Sequence, residues 1–320
     1  MPVNISDKMN NWIAQSGSLN SFYDFRISSE QIAKYTILGA YDDFYISLYC
    51  KSLEALRGIE DVDKESLLSL GKGFELFARK NVAENFGGIN PFDAMVLAAV
   101  LKYVAGYSSS SRLLIEGAKG VEHDSADSQL IDFLSAFLSR DLDLYENDYF
   151  KYLRIFLRTG NPIALEMLVD NLNNKTSESI DTGPVEYFVS MTSKVLAEHF
   201  IKNNIWNTLL SINDLPEFWS DFVKANVNNG IWDFFPSQLR AIEKGLLSSE
   251  KSFALQMPTS SGKTSLCEAV IYYHVKSVGN AKVVLLAPFR ALASELKLSM
   301  GRRLKPYGIK VKALYGGNVP

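Results

Sequence analysis

Cysteine, histidine and long apolar runs are all scarce in this chain. Only Cys50 and Cys267 occur in 320 residues, and they lie far apart. That excludes a disulfide framework and the paired spacing of a structural zinc site, and it suits a reducing cytoplasm, the expected location. The three histidines, His123, His199 and His274, stand singly, so each reads as a packed or exposed side chain rather than a metal ligand. The most apolar segment, Ala94 to Leu101, is followed by Lys102. It is too short to cross a bilayer, which takes about 20 apolar residues. Met1 to Gln15 has no apolar stretch with basic flanks, so neither a secretory signal nor a membrane partner is expected.

Strand alternation is missing as well, up to about residue 250. What stands there is helical spacing. Ser28-Ser29-Glu30-Gln31 reads as a helix start, followed by Ile32, Tyr35, Leu38, Tyr41, Phe44, Tyr45, Leu48 and Leu56 at three- and four-residue steps. Further helices are expected over about 63–80, 91–106, 110–118, 126–139, 143–158, 162–173, 184–203, 204–213 and 215–227. Asn90-Pro91, Asn161-Pro162 and Gly183-Pro184 punctuate them, with proline near the helix start. No fixed-period repeat is evident. The polar Asn226-Val227-Asn228-Asn229-Gly230 marks the expected boundary between an all-α accessory domain, 1–230, and a second domain, 231–320. The sequence does not say what the helical domain does; docking a partner protein is the default.

Charge divides at the same place. Residues 231–320 hold 13 Lys and Arg against 5 Asp and Glu, whereas the first 230 hold 20 against 31. A basic third beside an acidic remainder assigns a polyanionic partner to the C-terminal part, although a domain that holds only ATP would be basic too.

That part carries the chemistry. The apolar run Phe253 to Gln256 reads as a buried strand, and Ser265 to Tyr273 as a helix. Between them lies Met257-Pro258-Thr259-Ser260-Ser261-Gly262-Lys263-Thr264. Strand, tight loop ending in Gly-Lys-Thr, then helix is the setting of a phosphate-binding loop, whose backbone N–H groups and helix N-terminus both face the anion. Gly262, without a Cβ, lets the backbone approach the phosphates. Lys263 would meet the β- and γ-phosphates, and the Thr264 hydroxyl would sit on Mg2+. Pro258, Thr259, Ser260, Ser261 and Ser265 complete the cradle. The general pattern has Gly where this chain has Met257, and Gly-Lys-Thr alone also fits an ordinary turn that caps a helix.

Two flanking segments add to it. In Phe235-Pro236-Ser237-Gln238, a carboxamide can both donate to and accept from an adenine edge, and Phe235 or Phe234 could stack on the base. A capped helix start with a buried Phe is the plainer reading of that segment. Downstream, Lys282 to Ala287 is β-branched and apolar, as a central parallel strand should be. Pro288-Phe289-Arg290-Ala291-Leu292-Ala293-Ser294-Glu295 then opens a helix to about Leu304. A helix N-terminus with Arg290 makes a phosphate-binding corner suited to a nucleic-acid backbone. Lys310 to Leu314 alternates as a third strand. The order β-α-β-α-β is the build of a doubly wound parallel sheet.

Taken together, these three motifs resemble the first motor domain of superfamily 2 DExD/H-type helicases. There an apolar or small residue commonly replaces the first glycine of the loop, as Met257 does here. The Pro-x-Arg-Ala-Leu-Ala form looks most like the branch of the exosome-associated RNA helicases and the archaeal-type DNA-repair helicases. The resemblance covers about 231–320. It implies a RecA-like α/β motor domain begun after the helical one, with Gln238 at adenine. It further implies Lys263 and Thr264 at the phosphates and Mg2+, and Pro288, Arg290, Ala291, Gly316 and Gly317 along a DNA or RNA backbone. The family also needs an Asp-Glu pair further on, and no such box follows Thr264; the one acidic residue after Glu268 is Glu295. The expectation is therefore the N-terminal part of an ATP-dependent helicase or translocase, competent to bind ATP but not to hydrolyse it efficiently as it stands. Two alternatives remain: an ATP-binding regulatory subunit, and a partner-docking scaffold, for instance in an antiviral defence complex.

Overall fold

The computed structural model describes residues 41–79, 91–118, 128–141, 143, 147–248, 252–257 and 262–314. The expected helix start at Ser28 lies outside them, as do His123, the loop residues Pro258, Thr259, Ser260 and Ser261, and Gly316 and Gly317. The described residues fall into two compact units. One comprises those within Met1–Arg154 together with Pro162–Phe200; the other comprises Ile155–Asn161 and those within Ile201–Pro320.

The described residues of the first unit form helices joined by turns: α1 (Tyr41–Arg57), α2 (Lys64–Arg79), α3 (Pro91–Val104), α4 (Ser108–Ala118), α5 (Ser128–Ser139), the start of α6 (Asp148–Thr159), α7 (Pro162–Glu178) and most of α8 (Pro184–Asn203). Helices α3, α7 and α8 each begin on a proline, whose missing N–H costs nothing in the first turn. Helix α3 is buried on every side, from Phe92 to Val104, which marks it as the centre of the bundle. It packs against α2, α4 and α5. A Cβ at Gly71 would come within 3.2 Å of the Ala98 carbonyl oxygen, so this small residue lets α2 lie close on α3. The Ser111 hydroxyl donates to the Ala99 carbonyl at 2.6 Å and ties α4 to the same helix. Aromatic rings fill the far side, with Tyr103–Phe137 at 5.5 Å, Phe133–Phe150 at 6.1 Å and Phe137–Phe200 at 5.1 Å. His199 lies edge-on to Tyr103 at 5.4 Å, a packed histidine as its isolation in the sequence suggests.

The second unit contains the end of α6, then α9 (Ile205–Leu210), α10 (Pro216–Asn228), α11 (Pro236–Glu243), α12 (Lys263–Ser277), α13 (Arg290–Leu304) and a 3-10 turn, Lys305–Tyr307. Asn204 caps α9, its Oδ1 accepting from the Asn207 N–H at 2.8 Å. The chain then returns past this cap. Asn204 and Asp233 form an antiparallel bridge, and the Ile205 N–H donates to the Trp232 carbonyl at 2.8 Å. Trp206 is buried, its indole N–H bonded to the Leu157 carbonyl at 3.0 Å. At Gly160, φ is +70° and a Cβ would sit 2.9 Å from that indole, so glycine is needed on both counts.

Helices α10 and α12 meet through aromatic side chains. Trp219 stacks on Tyr272 at 5.7 Å and on Tyr273 at 5.9 Å. Phe222 lies 5.1 Å from Tyr272, and Tyr307 closes the group at 5.0 Å from Tyr272. The Trp219 indole N–H donates to the Asn213 carbonyl at 3.1 Å and the Tyr272 hydroxyl to the Phe218 carbonyl at 2.6 Å, so the polar ends of these rings are satisfied inside the core.

The expected parallel sheet is the point of difference. The three strand-like runs, Phe253 to Gln256, Lys282 to Ala287 and Lys310 to Leu314, are irregular segments, and no sheet ladder joins them among the described residues. Their apolar side chains stand in the open, Val284 at 75% and Leu286 at 91% exposure. The reason is the range of the bonds involved. A helix closes its N–H groups on carbonyls four residues away, whereas a strand draws every ladder bond from another strand. No helix among the described residues is long and apolar enough to cross a membrane.

Candidate functional site

Gln238 forms the corner of the site. It is 4% exposed, in the first turn of α11, behind Phe235 at the N-cap and Pro236 at N1. Its Oε1 accepts from the Phe235 N–H at 2.8 Å, and its Nε2 donates to the Gly262 carbonyl at 3.0 Å. One amide therefore clamps the Phe235 turn to the residue that starts α12. Gly262 adopts the left-handed conformation, φ +79° and ψ 26°, as N-cap of that helix. A Cβ there would lie 2.3 Å from Gln238 Nε2 and 3.3 Å from Phe235 Cδ2. Only glycine satisfies the backbone and the clamp together. The Gly262 carbonyl also takes the N–H groups of Ser265 and Leu266, at 3.0 and 3.2 Å.

Lys263 follows as the first residue of α12 and is exposed; Thr264 and Ser265 are half-buried. Met257, where the general loop pattern has glycine, is buried. Phe235 and Gln238 are thus brought against the start of the Lys-Thr-Ser turn. The neighbouring Phe234 is buried, which leaves the half-exposed Phe235 as the ring available to a base. The other group of candidates stands apart along the chain. Pro288 and Ala291 are exposed, and Arg290 is the exposed first residue of α13. Phe289 caps that helix in an extended conformation, its carbonyl accepting from the Ala293 N–H at 3.0 Å.

Behind the turn lies a group the sequence reading passed over. Glu268, 3% exposed on α12, has both carboxylate oxygens engaged. Oε2 pairs with Arg303 Nη1 at 3.0 Å, and Oε1 accepts from the Tyr307 hydroxyl at 2.6 Å. Arg303 Nη1 also stands 3.5 Å from Ser265 Oγ, and Asn226 Nδ2 is 3.4 Å from the Tyr307 hydroxyl oxygen. A usable signal was present: Glu268 shares a helix face with Ile271 and Tyr272, three and four residues on, and a carboxylate among apolar neighbours demands a cation.

Burial, reinforced by the hydrogen bond to Glu268 and its negative charge, holds the Tyr307 hydroxyl well above the usual phenol range. Burial, with the charge of Asp221, pushes Tyr272 up to about 12. Both phenols are raised on folding, so their contribution is complete below pH 10; that of Tyr272 is lost as pH climbs from 10 toward 12, and that of Tyr307 over a window that starts at 10 and runs further. The expected cost is about 1.4 kcal/mol per pH unit for each phenol held protonated. Thermal melts at pH 9 and pH 11 check this. Tyr272→Phe should lose less stability across that interval than the wild-type chain, and an equal loss in both would contradict the assignment.

Comparison with known proteins finds likeness over the same stretch. The family model of the DEAD/DEAH box helicases matches residues 235–320, the stretch from the Phe235 turn through α13. Over this stretch the chain resembles superfamily 2 DExD/H helicases of the Hel308 type. It is 34% identical over 91 residues to the ATP-dependent DNA helicase Hel308 of Methanocaldococcus jannaschii, covering 27% of this chain and 8% of that protein. The pre-mRNA-splicing factor brr2 of Schizosaccharomyces pombe is 31% identical over 117 residues, which are 34% of this chain and 5% of that one. Hachiman protein HamB of Bacillus cereus is 27% identical over 186 residues, 56% of this chain and 16% of HamB. That alignment is more than twice the length of the family match, so it reaches into the helices before residue 235. The chain spans no more than 16% of the length of these relatives.

Proposed function

We propose that the second unit binds ATP with Mg2+ and forms the opening part of the first RecA-like motor domain of a nucleic-acid helicase or translocase. The observation that carries this reading is the clamp from Gln238 to the Gly262 carbonyl. It brings an aromatic side chain and a carboxamide against an αL glycine and an exposed lysine at a helix N-terminus. Each has a role there. Lys263 neutralises the β- and γ-phosphates, the N–H groups of the α12 turn take phosphate oxygens, and Phe235 stacks on the purine. The donor set suits Mg2+, which demands few protein ligands and is held mainly through substrate phosphates and water, here with the Thr264 hydroxyl. When bound, Mg2+ supplies charge neutralisation at the phosphates. Pro258 to Ser261 complete the cradle in this reading. Pro288, Arg290, Ala291, Gly316 and Gly317 follow the DNA or RNA backbone, positioning it without reading its sequence.

A second reading is favoured by the length of the HamB alignment, which is too long to lie within residues 235–320 alone and so takes in helices before them. In it the helical region docks a partner protein in an antiviral defence complex, and the nucleotide regulates that assembly.

One experiment separates them. The 320-residue chain is titrated with a fluorescent ATP analogue in Mg2+, and in parallel with single-stranded DNA and RNA followed by anisotropy. The motor reading expects both nucleotide and nucleic acid to bind. Nucleotide binding without nucleic-acid affinity favours the regulatory reading. A chain that binds no nucleotide at millimolar concentration sinks both.

A further inference from the structure

We infer that Glu268 is a positioning residue that couples the nucleotide site to the nucleic-acid corner, through its paired bonds to Arg303 and Tyr307 at the far end of α13. The inference rests on the motor reading above and adds a route between its two sites.

The argument starts from how α13 is held. Of its residues from Arg290 to Leu304, only Met300 and Leu304 are buried, and both lie in the last turns. The helix is seated at its C-terminal end, while its N-terminal half stands in solvent. The polar part of that seat is Glu268. One oxygen holds Arg303 on α13, and the other holds Tyr307 on the turn that follows it. Asn226 of α10 braces the Tyr307 hydroxyl from behind, and its own Nδ2 also donates to the Phe222 carbonyl at 2.9 Å. The carboxylate lies five residues after Lys263, on the same helix that opens at Gly262, and Arg303 reaches the Ser265 hydroxyl in its first turn. A shift of the α12 turn on taking up a triphosphate therefore moves the seat of α13.

The geometry of α13 amplifies that motion. Arg290 lies 13 residues before Arg303, about 20 Å along the helix at 1.5 Å per residue. A tilt of about 3° at the seat displaces the Arg290 end by about 1 Å, enough to matter to a phosphate contact. Buried ion pairs of this kind are better explained by the arrangement they impose than by net stability, since desolvation offsets much of the Coulomb gain.

The test is a linkage measurement on the 320-residue chain. Affinity for a 20-nucleotide single-stranded DNA is measured by anisotropy, with and without a non-hydrolysable ATP analogue and Mg2+. In the wild-type chain the nucleotide should change that affinity by at least about fivefold, a normal coupling between two sites. In Glu268→Gln and Arg303→Gln the ratio should fall to within twofold of unity, while nucleotide affinity alone changes less than about threefold. Arg303→Lys, which keeps the charge, should restore most of the ratio; a purely structural role would not discriminate Lys from Gln in this way. Should Glu268→Gln fail to fold by circular dichroism, the half-exposed Arg303 variants carry the test. Variants that bind both ligands with the wild-type ratio overturn the inference, as does a wild-type ratio of unity. A wild-type chain that binds no nucleotide overturns the motor reading itself, which is a distinct result.

Discussion

Replacing Lys263 with alanine is expected to abolish nucleotide turnover in any chain that carries the rest of the motor, and to weaken ATP binding in these 320 residues. The lysine is exposed, unlike the buried Leu266, Ala269 and Tyr272 of the same helix, so its removal leaves packing untouched. What disappears is a cation at the helix N-terminus, where triphosphate charge would collect. Losing one preorganised group that stabilises developing charge costs about 10²- to 10³-fold in rate. The measurements are steady-state ATPase with saturating nucleic acid, and titration with a fluorescent ATP analogue. An unchanged thermal melt with a large loss of affinity is the expected pattern. Undiminished turnover would remove the phosphate-site assignment.

The largest effect on stability is expected at Trp219. Its ring is fully buried between Tyr272 and Phe222, and its indole N–H is bonded to the Asn213 carbonyl. Trp219→Ala removes the piece that joins α10 to α12 and strands that carbonyl. A truncation of this size in a packed core costs about 3–5 kcal/mol, which lowers the melting temperature of a unit this size by on the order of 10 °C. Because α12 begins at Lys263, nucleotide affinity should fall with it. Trp219→Phe, which keeps a ring in place, should recover most of both. A melt of the alanine variant within about 3 °C of wild type would show that α12 is seated by other contacts.

The helices were legible because their signals are local. Prolines at 91, 162, 184 and 216 mark starts, and apolar residues at three- and four-residue steps mark the buried faces, so α3, α7 and α8 begin where the spacing predicts. The α13 start at Arg290 was equally plain. That no ladder joins the runs at 253, 282 and 310 among the described residues was not legible, since apolar content says a strand is wanted without naming its neighbour. At the site, Gly262, Lys263 and Gln238 could be picked out by residue type. The Gln238–Gly262 bond spans 24 residues, and the Glu268–Arg303 pair spans 35. Such pairings depend on how α11, α12 and α13 pack, which residue order alone does not state.

The bonding of Gln238 bears on which nucleotides the chain accepts. One N–H and one lone pair of its amide are committed to backbone groups, so a purine edge is left with one N–H and one lone pair, in the plane those bonds fix. Each such bond nets only about 0.5–1.5 kcal/mol, which limits discrimination between bases to roughly one order of magnitude per bond. Selectivity for ATP over GTP should accordingly be shallow, with affinity governed by the triphosphate that the two share.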